Sequence, residues 1–178
     1  KSADKVMTFL NNGSQTDMPY EYAPQYEKMF PDSMHGWAVI RDYNKDGVPD
    51  LFTLFRNQGI SYYKGYRNAG KLSFSLIKDE IYYSDSNTIS DHIYTFYDDL
   101  PAFVDVNNDG YMDILSFSIF GGQNVYYYEN TTPSYANQDT LHFYEVTQCW
   151  GGFLENSNTN SLLLDFCTSN GIHSPPPS

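Results

Sequence analysis

Val39-Ile-Arg-Asp-Tyr-Asn-Lys-Asp-Gly-Val-Pro-Asp-Leu-Phe52 and Ala102-Phe-Val-Asp-Val-Asn-Asn-Asp-Gly-Tyr-Met-Asp-Ile-Leu115 are one pattern written twice, 63 residues apart. Asp42 aligns with Asp105, Asp46 with Asp109 and Asp50 with Asp113. Each copy has an apolar stretch before its acidic loop and an apolar, strand-like stretch after it. The likeness continues downstream. Gly59-Ile-Ser-Tyr-Tyr-Lys64 resembles Gln123-Asn-Val-Tyr-Tyr-Tyr-Glu-Asn130, and Leu72-Ser-Phe74 resembles Leu141-His-Phe143. The N-terminal Val6-Met-Thr-Phe-Leu-Asn-Asn12 resembles Val125-Tyr-Tyr-Tyr-Glu-Asn-Thr131. The chain therefore reads as the end of one repeat followed by two more, each of about four short strands.

Working outward, the remainder agrees with an all-β reading. Val6–Leu10, Trp37–Ile40, Leu51–Phe55, Ile60–Tyr63, Leu72–Ile77, Ala102–Val104, Ile114–Ile119, Val125–Tyr128 and Leu141–Val146 are short and rich in β-branched or aromatic residues. Gly, Asn and Asp punctuate most of them. Tyr20–Phe30 is the best helical stretch, and Pro24 and Pro31 limit it to one or two turns. Residues 78–99 read as a polar connector, Thr131–Thr140 as a solvated insertion and Ser174–Ser178 as an extended linker. Four-stranded units in series pack face to face as β-propeller blades. The expected fold is thus a partial β-propeller of four-stranded antiparallel blades with calcium loops. Leu51, Leu54, Ile114, Leu115 and Phe117 are its expected core. Too few blades are present to close a ring, so further blades of the same parent chain or an assembly partner are expected to cover the outer faces.

Composition narrows the function. Ten basic against 22 acidic residues leave a net charge of −12, which phosphate backbones repel; nucleic acid is not an expected partner. No apolar run is long enough for a membrane-spanning helix. The 17 Tyr, 12 Phe and 2 Trp suit strands and recognition faces.

The acidic loops carry the chemistry. Hard cations such as Ca²⁺ take six to eight oxygens at about 2.3–2.6 Å. Side chains at loop positions 1, 3 and 5 converge when a glycine at position 6 lets the chain curl. A carbonyl at position 7 and a carboxylate at position 9 complete the set. The expected ligands are Asp42, Asn44, Asp46, the Val48 carbonyl and Asp50 at one site. At the other they are Asp105, Asn107, Asp109, the Tyr111 carbonyl and Asp113. An EF-hand needs a glutamate at position 12 and a following helix. Thr53 and Ser116 stand there, and strand-like residues follow. The bland alternative is that Asp-Gly makes only a hairpin turn.

With these residues in view, the two loops resemble the calcium loops of FG-GAP/VCBS repeats. These repeats build the propellers of integrin α-subunits and of many secreted bacterial proteins. Residues 101–117, 125–130, the Cys149-Trp-Gly-Gly-Phe-Leu-Glu155 segment and Cys167 further resemble large VCBS-repeat proteins of Bacteroidota, which are typically exported by the type IX secretion system. The resemblance covers about residues 36–167. It implies an end of a preceding blade plus connector at 1–35, one blade at 36–100, a second blade at 101–170 with a disulfide-closed insertion, and a linker at 171–178.

In an exported chain, an even cysteine count favours a disulfide between Cys149 and Cys167; two buried free thiols are the rival. His35, His92, His142 and His173 are isolated, and no nucleophile elbow or phosphate loop occurs, so no enzyme is expected. Trp37 and Trp150 could stack on sugars, although burial is the commoner fate of Trp. The reading is a non-catalytic, calcium-binding propeller segment of a secreted or cell-surface protein, serving adhesion or ligand recognition through a protein or glycan ligand. The alternatives are part of a secreted polysaccharide-active enzyme, and cargo or a structural subunit of an export or surface assembly.

Overall fold

A computed structural model describes residues 6–13, 19–32, 34–56, 58–86, 90–117, 124–132, 141–156 and 158–165. Strands β1 (Phe9–Asn11) and β2 (Tyr20–Tyr22) pair antiparallel, and a 3₁₀ turn, Pro24–Met29, follows. The stretch expected to be helical thus opens with three strand residues and continues as six residues of 3₁₀ turn. Pro24 sets φ at the start of the turn, and Phe30, which precedes Pro31, is forced to extended backbone at ψ 147°.

Strands β3 (Ala38–Arg41), β4 (Asp50–Phe55), β5 (Gly59–Asn68) and β6 (Lys71–Lys78) form an antiparallel sheet in chain order. After β7 (Tyr82–Ser84) and β8 (Ser90–His92), the same four-strand order recurs. It is built from β9 (Ala102–Val104), β10 (Asp113–Phe117), β11 (Val125–Asn130) and β12 (Phe143–Thr147). A last hairpin joins β13 (Phe153–Asn156) to β14 (Ser161–Leu164). The protein is all-β, as expected, with 3₁₀ turns the only helical pieces among the described residues.

The connector at 78–99 is more structured than its polar composition implies. β7 lies parallel to β12, with Tyr83 opposite Phe143, and pairs antiparallel with β8, so the second sheet has six strands. Ile81 and Ile93 drive this arrangement: both are fully buried, and the Ile93 N–H bonds the Ile81 carbonyl at 2.9 Å. The Ile81 N–H in turn bonds the Ile60 carbonyl of β5 at 3.0 Å, tying the connector to the first sheet.

Side-chain alternation divides each sheet into two faces. Phe52, Leu54, Ile60 and Tyr62 point from the first sheet toward Phe103, Ile114, Tyr128 and Phe143 of the second. Phe52 and Phe103 stack with ring centroids 4.3 Å apart, which places the main core between the sheets. Burying a ring of this size stabilises by about 1.5–3 kcal/mol. The opposite face of the first sheet presents Leu51 and Tyr63 to Met34, with Val6, Phe30 and Phe74 packed around them. Of the five expected core residues, Leu51, Leu54 and Ile114 are buried. Leu115 and Phe117 are only half-buried, because they alternate onto the face of β10 opposite Ile114.

Candidate functional site

The two acidic loops link β3 to β4 and β9 to β10, and their backbones curl alike. Position 4 is left-handed in both, Lys45 at φ 57° and Asn108 at φ 60°. Position 6 is left-handed too, Gly47 at φ 83° and Gly110 at φ 92°. Two left-handed residues two apart turn successive N–H groups toward the inside of the loop, where carboxylates meet them.

The hydrogen bonds repeat nearly atom for atom. Asp42 accepts from the N–H of Asp46 at 3.1 Å and of Gly47 at 3.0 Å. Asp105 accepts from Asp109 at 3.1 Å and Gly110 at 2.9 Å. The Asn44 carbonyl oxygen takes the Asp46 N–H, and that of Asn107 takes the Asp109 N–H. Asp46 accepts from Val48 N–H at 2.8 Å and Asp109 from Tyr111 N–H at 2.7 Å. The Asn44 and Asn107 amides also donate to the second oxygens of Asp46 and Asp109, at 2.9 and 3.0 Å.

Position 9 differs from the others. Asp50 and Asp113 are fully buried, each closing its loop and reaching the neighbouring strand. Asp50 accepts from Tyr43 N–H at 3.0 Å and from Gly65 N–H in β5 at 2.8 Å. Asp113 accepts from Val106 N–H at 2.9 Å, Asn130 N–H in β11 at 2.8 Å and the Tyr127 hydroxyl at 3.2 Å. Burial pushes both carboxyls above the usual carboxylate range, against the pull of these donors. Charge at position 9 is therefore costly without a compensating partner.

Gly65 and Asn130, the strand donors to position 9, are equivalent positions that sequence comparison did not single out. A Cβ at Gly65 would lie 1.9 Å from the Pro49 carbonyl oxygen, so only glycine lets β5 approach the loop closely enough to reach Asp50. Each stands two residues beyond the cross-strand partner of the residue following position 9, a register that the folded sheet supplies and the sequence does not. Glu129 is a second addition, since its Oε1 accepts from the Asn107 amide at 2.9 Å. The second residue of the insertion expected after Asn130 is buried: Thr132 bonds Asn130 and His142.

The donor set suits a hard cation chemically: carboxylates, an amide oxygen and a backbone carbonyl, with Asp46 and Asp109 exposed. Each carboxylate retains lone pairs beyond those its N–H partners occupy. In the arrangement described, the side chains face N–H groups, and among the described residues no three His, Cys, Asp or Glu side chains converge at metal-binding distance. Loading would need the loop side chains to draw together.

The other candidates stand apart from the loops. Trp37 is buried, with its indole N–H on the Phe96 carbonyl at 3.2 Å, which removes it from any sugar-stacking role. Trp150 opens the 3₁₀ turn Trp150–Gly152 and is part-exposed. Cys149 precedes that turn, its N–H on the Thr147 hydroxyl at 3.1 Å; Cys167 and the tail at 174–178 lie outside the described residues. No helix among the described residues is long and apolar enough to cross a membrane.

Comparison with known families places these loops. Residues 42–116 match the FG-GAP-like repeat. The matched stretch runs from the first aspartate of the first loop to just past the last aspartate of the second, under half of the chain's 178 residues. No curated protein and no solved structure matches the chain.

Proposed function

We propose that the chain is a non-catalytic, calcium-stabilised segment of a β-propeller in a secreted or cell-surface protein, serving adhesion or ligand recognition. One observation carries this reading: the FG-GAP-like match spans two loops that share backbone conformation and hydrogen bonding. FG-GAP repeats are typical of extracellular proteins. The two four-strand runs, β3–β6 and β9–β12, are then successive blades.

Each loop holds one Ca²⁺, through Asp42, Asn44, Asp46, the Val48 carbonyl and Asp50, and through Asp105, Asn107, Asp109, the Tyr111 carbonyl and Asp113. The ion would supply positive charge to three carboxylates of one loop as their side chains draw together on loading. The chain's part is to preset the loop through its Asx-type hydrogen bonds. Exposed apolar residues on β1, β2 and β14, among them Phe9, Tyr20 and Leu164, support further blades or an assembly partner against these ends. Export, by the type IX route of the resembling Bacteroidota proteins, goes with a Cys149–Cys167 disulfide. Mass spectrometry before and after reduction checks it by a gain of two hydrogens.

The reading is tested by melting the chain in calcium and in chelator. Calcium should raise the melting temperature, and Asp109→Ala should remove part of that rise while changing the chelator value less. Equal melting in both conditions by a folded chain would refute it.

A further inference from the structure

Charge is unevenly spread along this chain. All ten Lys and Arg lie in residues 1–78, beside eight acidic residues; residues 79–178 carry fourteen acidic residues and no Lys or Arg. Three of the ten cations line one cleft. The 3₁₀ turn Pro24–Met29 and the turn joining β5 to β6 border an open cleft of about 770 Å³, within the range of small-ligand sites. Lys28 comes from the first wall, and Arg67 and Lys71 flank the second. Tyr26, Gln25 and Ser73 complete the polar lining, and no acidic residue is among the described residues that line it.

Two further facts set this cleft apart. All three cations are exposed, and none is ion-paired among the described residues. In a chain with more than twice as many acids as bases, three exposed cations around a cavity with no acid among its described lining residues are a local reversal of sign. Like charges drawn together repel one another, which a bound anion relieves. The nearest helical acid, Glu27, is turned to the Tyr22 hydroxyl at 2.7 Å and does not line the cavity.

We propose that this cleft binds an anionic saccharide, one bearing uronate carboxylates or sulfates. The charges fix the sign of the ligand. The rest of the lining fixes its class: an exposed Tyr26 ring offers a stacking face for a sugar, and the Gln25 amide and Ser73 hydroxyl can bond ring hydroxyls. Arg67 presents a planar fork that pairs with carboxylate or sulfate through two parallel hydrogen bonds; Lys28 and Lys71 add point charges. This ligand class rests on the reading of the chain as a recognition module, but the site shares no residue with the calcium loops.

The test immobilises the 178-residue chain on a biosensor surface in chelator, so that calcium cannot bridge a loop to a uronate. Tetragalacturonate, a sulfated dextran oligosaccharide and the carboxyl-reduced, neutral tetrasaccharide are passed over it. At least one anionic probe should bind, the neutral one should not, and affinity should fall as salt rises from 50 to about 200 mM. Arg67→Gln and Lys71→Gln should each weaken binding about tenfold or more. Arg41→Gln, which removes a charge outside the cleft, should leave it unchanged. Which anionic probe binds distinguishes uronate from sulfate. No binding of either anionic probe by the unsubstituted chain would overturn the proposal without reference to any variant. So would an equal loss in Arg41→Gln, or a glutamate decapeptide binding as tightly through Arg67 and Lys71, which would make the ligand an acidic peptide. Because calcium is absent throughout, failure here leaves the calcium reading standing, and failure of the calcium reading leaves this result interpretable.

Discussion

The side-chain amide of Asn130 donates a 2.7 Å hydrogen bond to the hydroxyl of Tyr43, 87 residues earlier in the chain. Tyr43 occupies position 2 of the first acidic loop, and the Asn130 backbone N–H closes the second loop through Asp113. One pair thus joins the frames of both loops across the core. Its neighbours are Phe52 and Tyr62, whose rings lie 5.5 Å from that of Tyr43.

This link should be measurable as coupling. Tyr43→Phe and Asn130→Ala should each lower stability in chemical denaturation, by about 1 and about 1–3 kcal/mol respectively. The Asn130 change costs more because its amide also donates to the Met112 carbonyl at 3.1 Å. The double variant should lose less than the sum of the two. Strict additivity would show that the bond contributes nothing.

Gly65→Ala should be among the most damaging substitutions in either sheet. The new methyl would meet the Pro49 carbonyl at 1.9 Å and push β5 off the Asp50 carboxylate. A loss of at least about 3 kcal/mol is expected from the overlap together with the buried acid left short of a donor. Gly70→Ala, at a turn where nothing lies within 4 Å of the new methyl, should cost only about 1 kcal/mol through its left-handed backbone.

These two glycines show why some of the molecule was legible in its sequence and some was not. The acidic loops were readable because the chemistry repeats at fixed spacing and the strands alternate around it. Gly65 was not, since its role depends on a backbone crossing between a loop and a strand 15 residues away. The hairpin of β7 and β8 was hidden for a related reason. Among the described residues, Ile81 and Ile93 flank the hairpin as its buried anchors, and isoleucines spaced so far apart among Asp, Ser and Tyr make no period. Leu115 and Phe117 were overread, because a continuous apolar run says nothing about which face is covered.

Glu145 gives a pH prediction away from the loops. It lies on β12, accepts from the Gln148 amide at 2.8 Å, and burial raises its pKa above the ordinary glutamate value. The folded state therefore holds this proton more tightly than the unfolded chain does. Its stabilising contribution is complete below the unfolded value and is lost as pH rises through the folded one. Glu145→Gln should accordingly raise the melting temperature near pH 7, with little change near pH 4, and flatten the profile between them. A variant destabilised equally at both values would place the effect in packing instead.

The central claim, that the two loops are equivalent calcium sites, is tested most directly by calorimetric titration of the chelator-stripped chain with calcium chloride. Uptake of two ions is expected, with Asp46→Ala removing one, Asp109→Ala the other and the double variant both. A folded chain that takes up no calcium, or uptake that survives both substitutions, would contradict it.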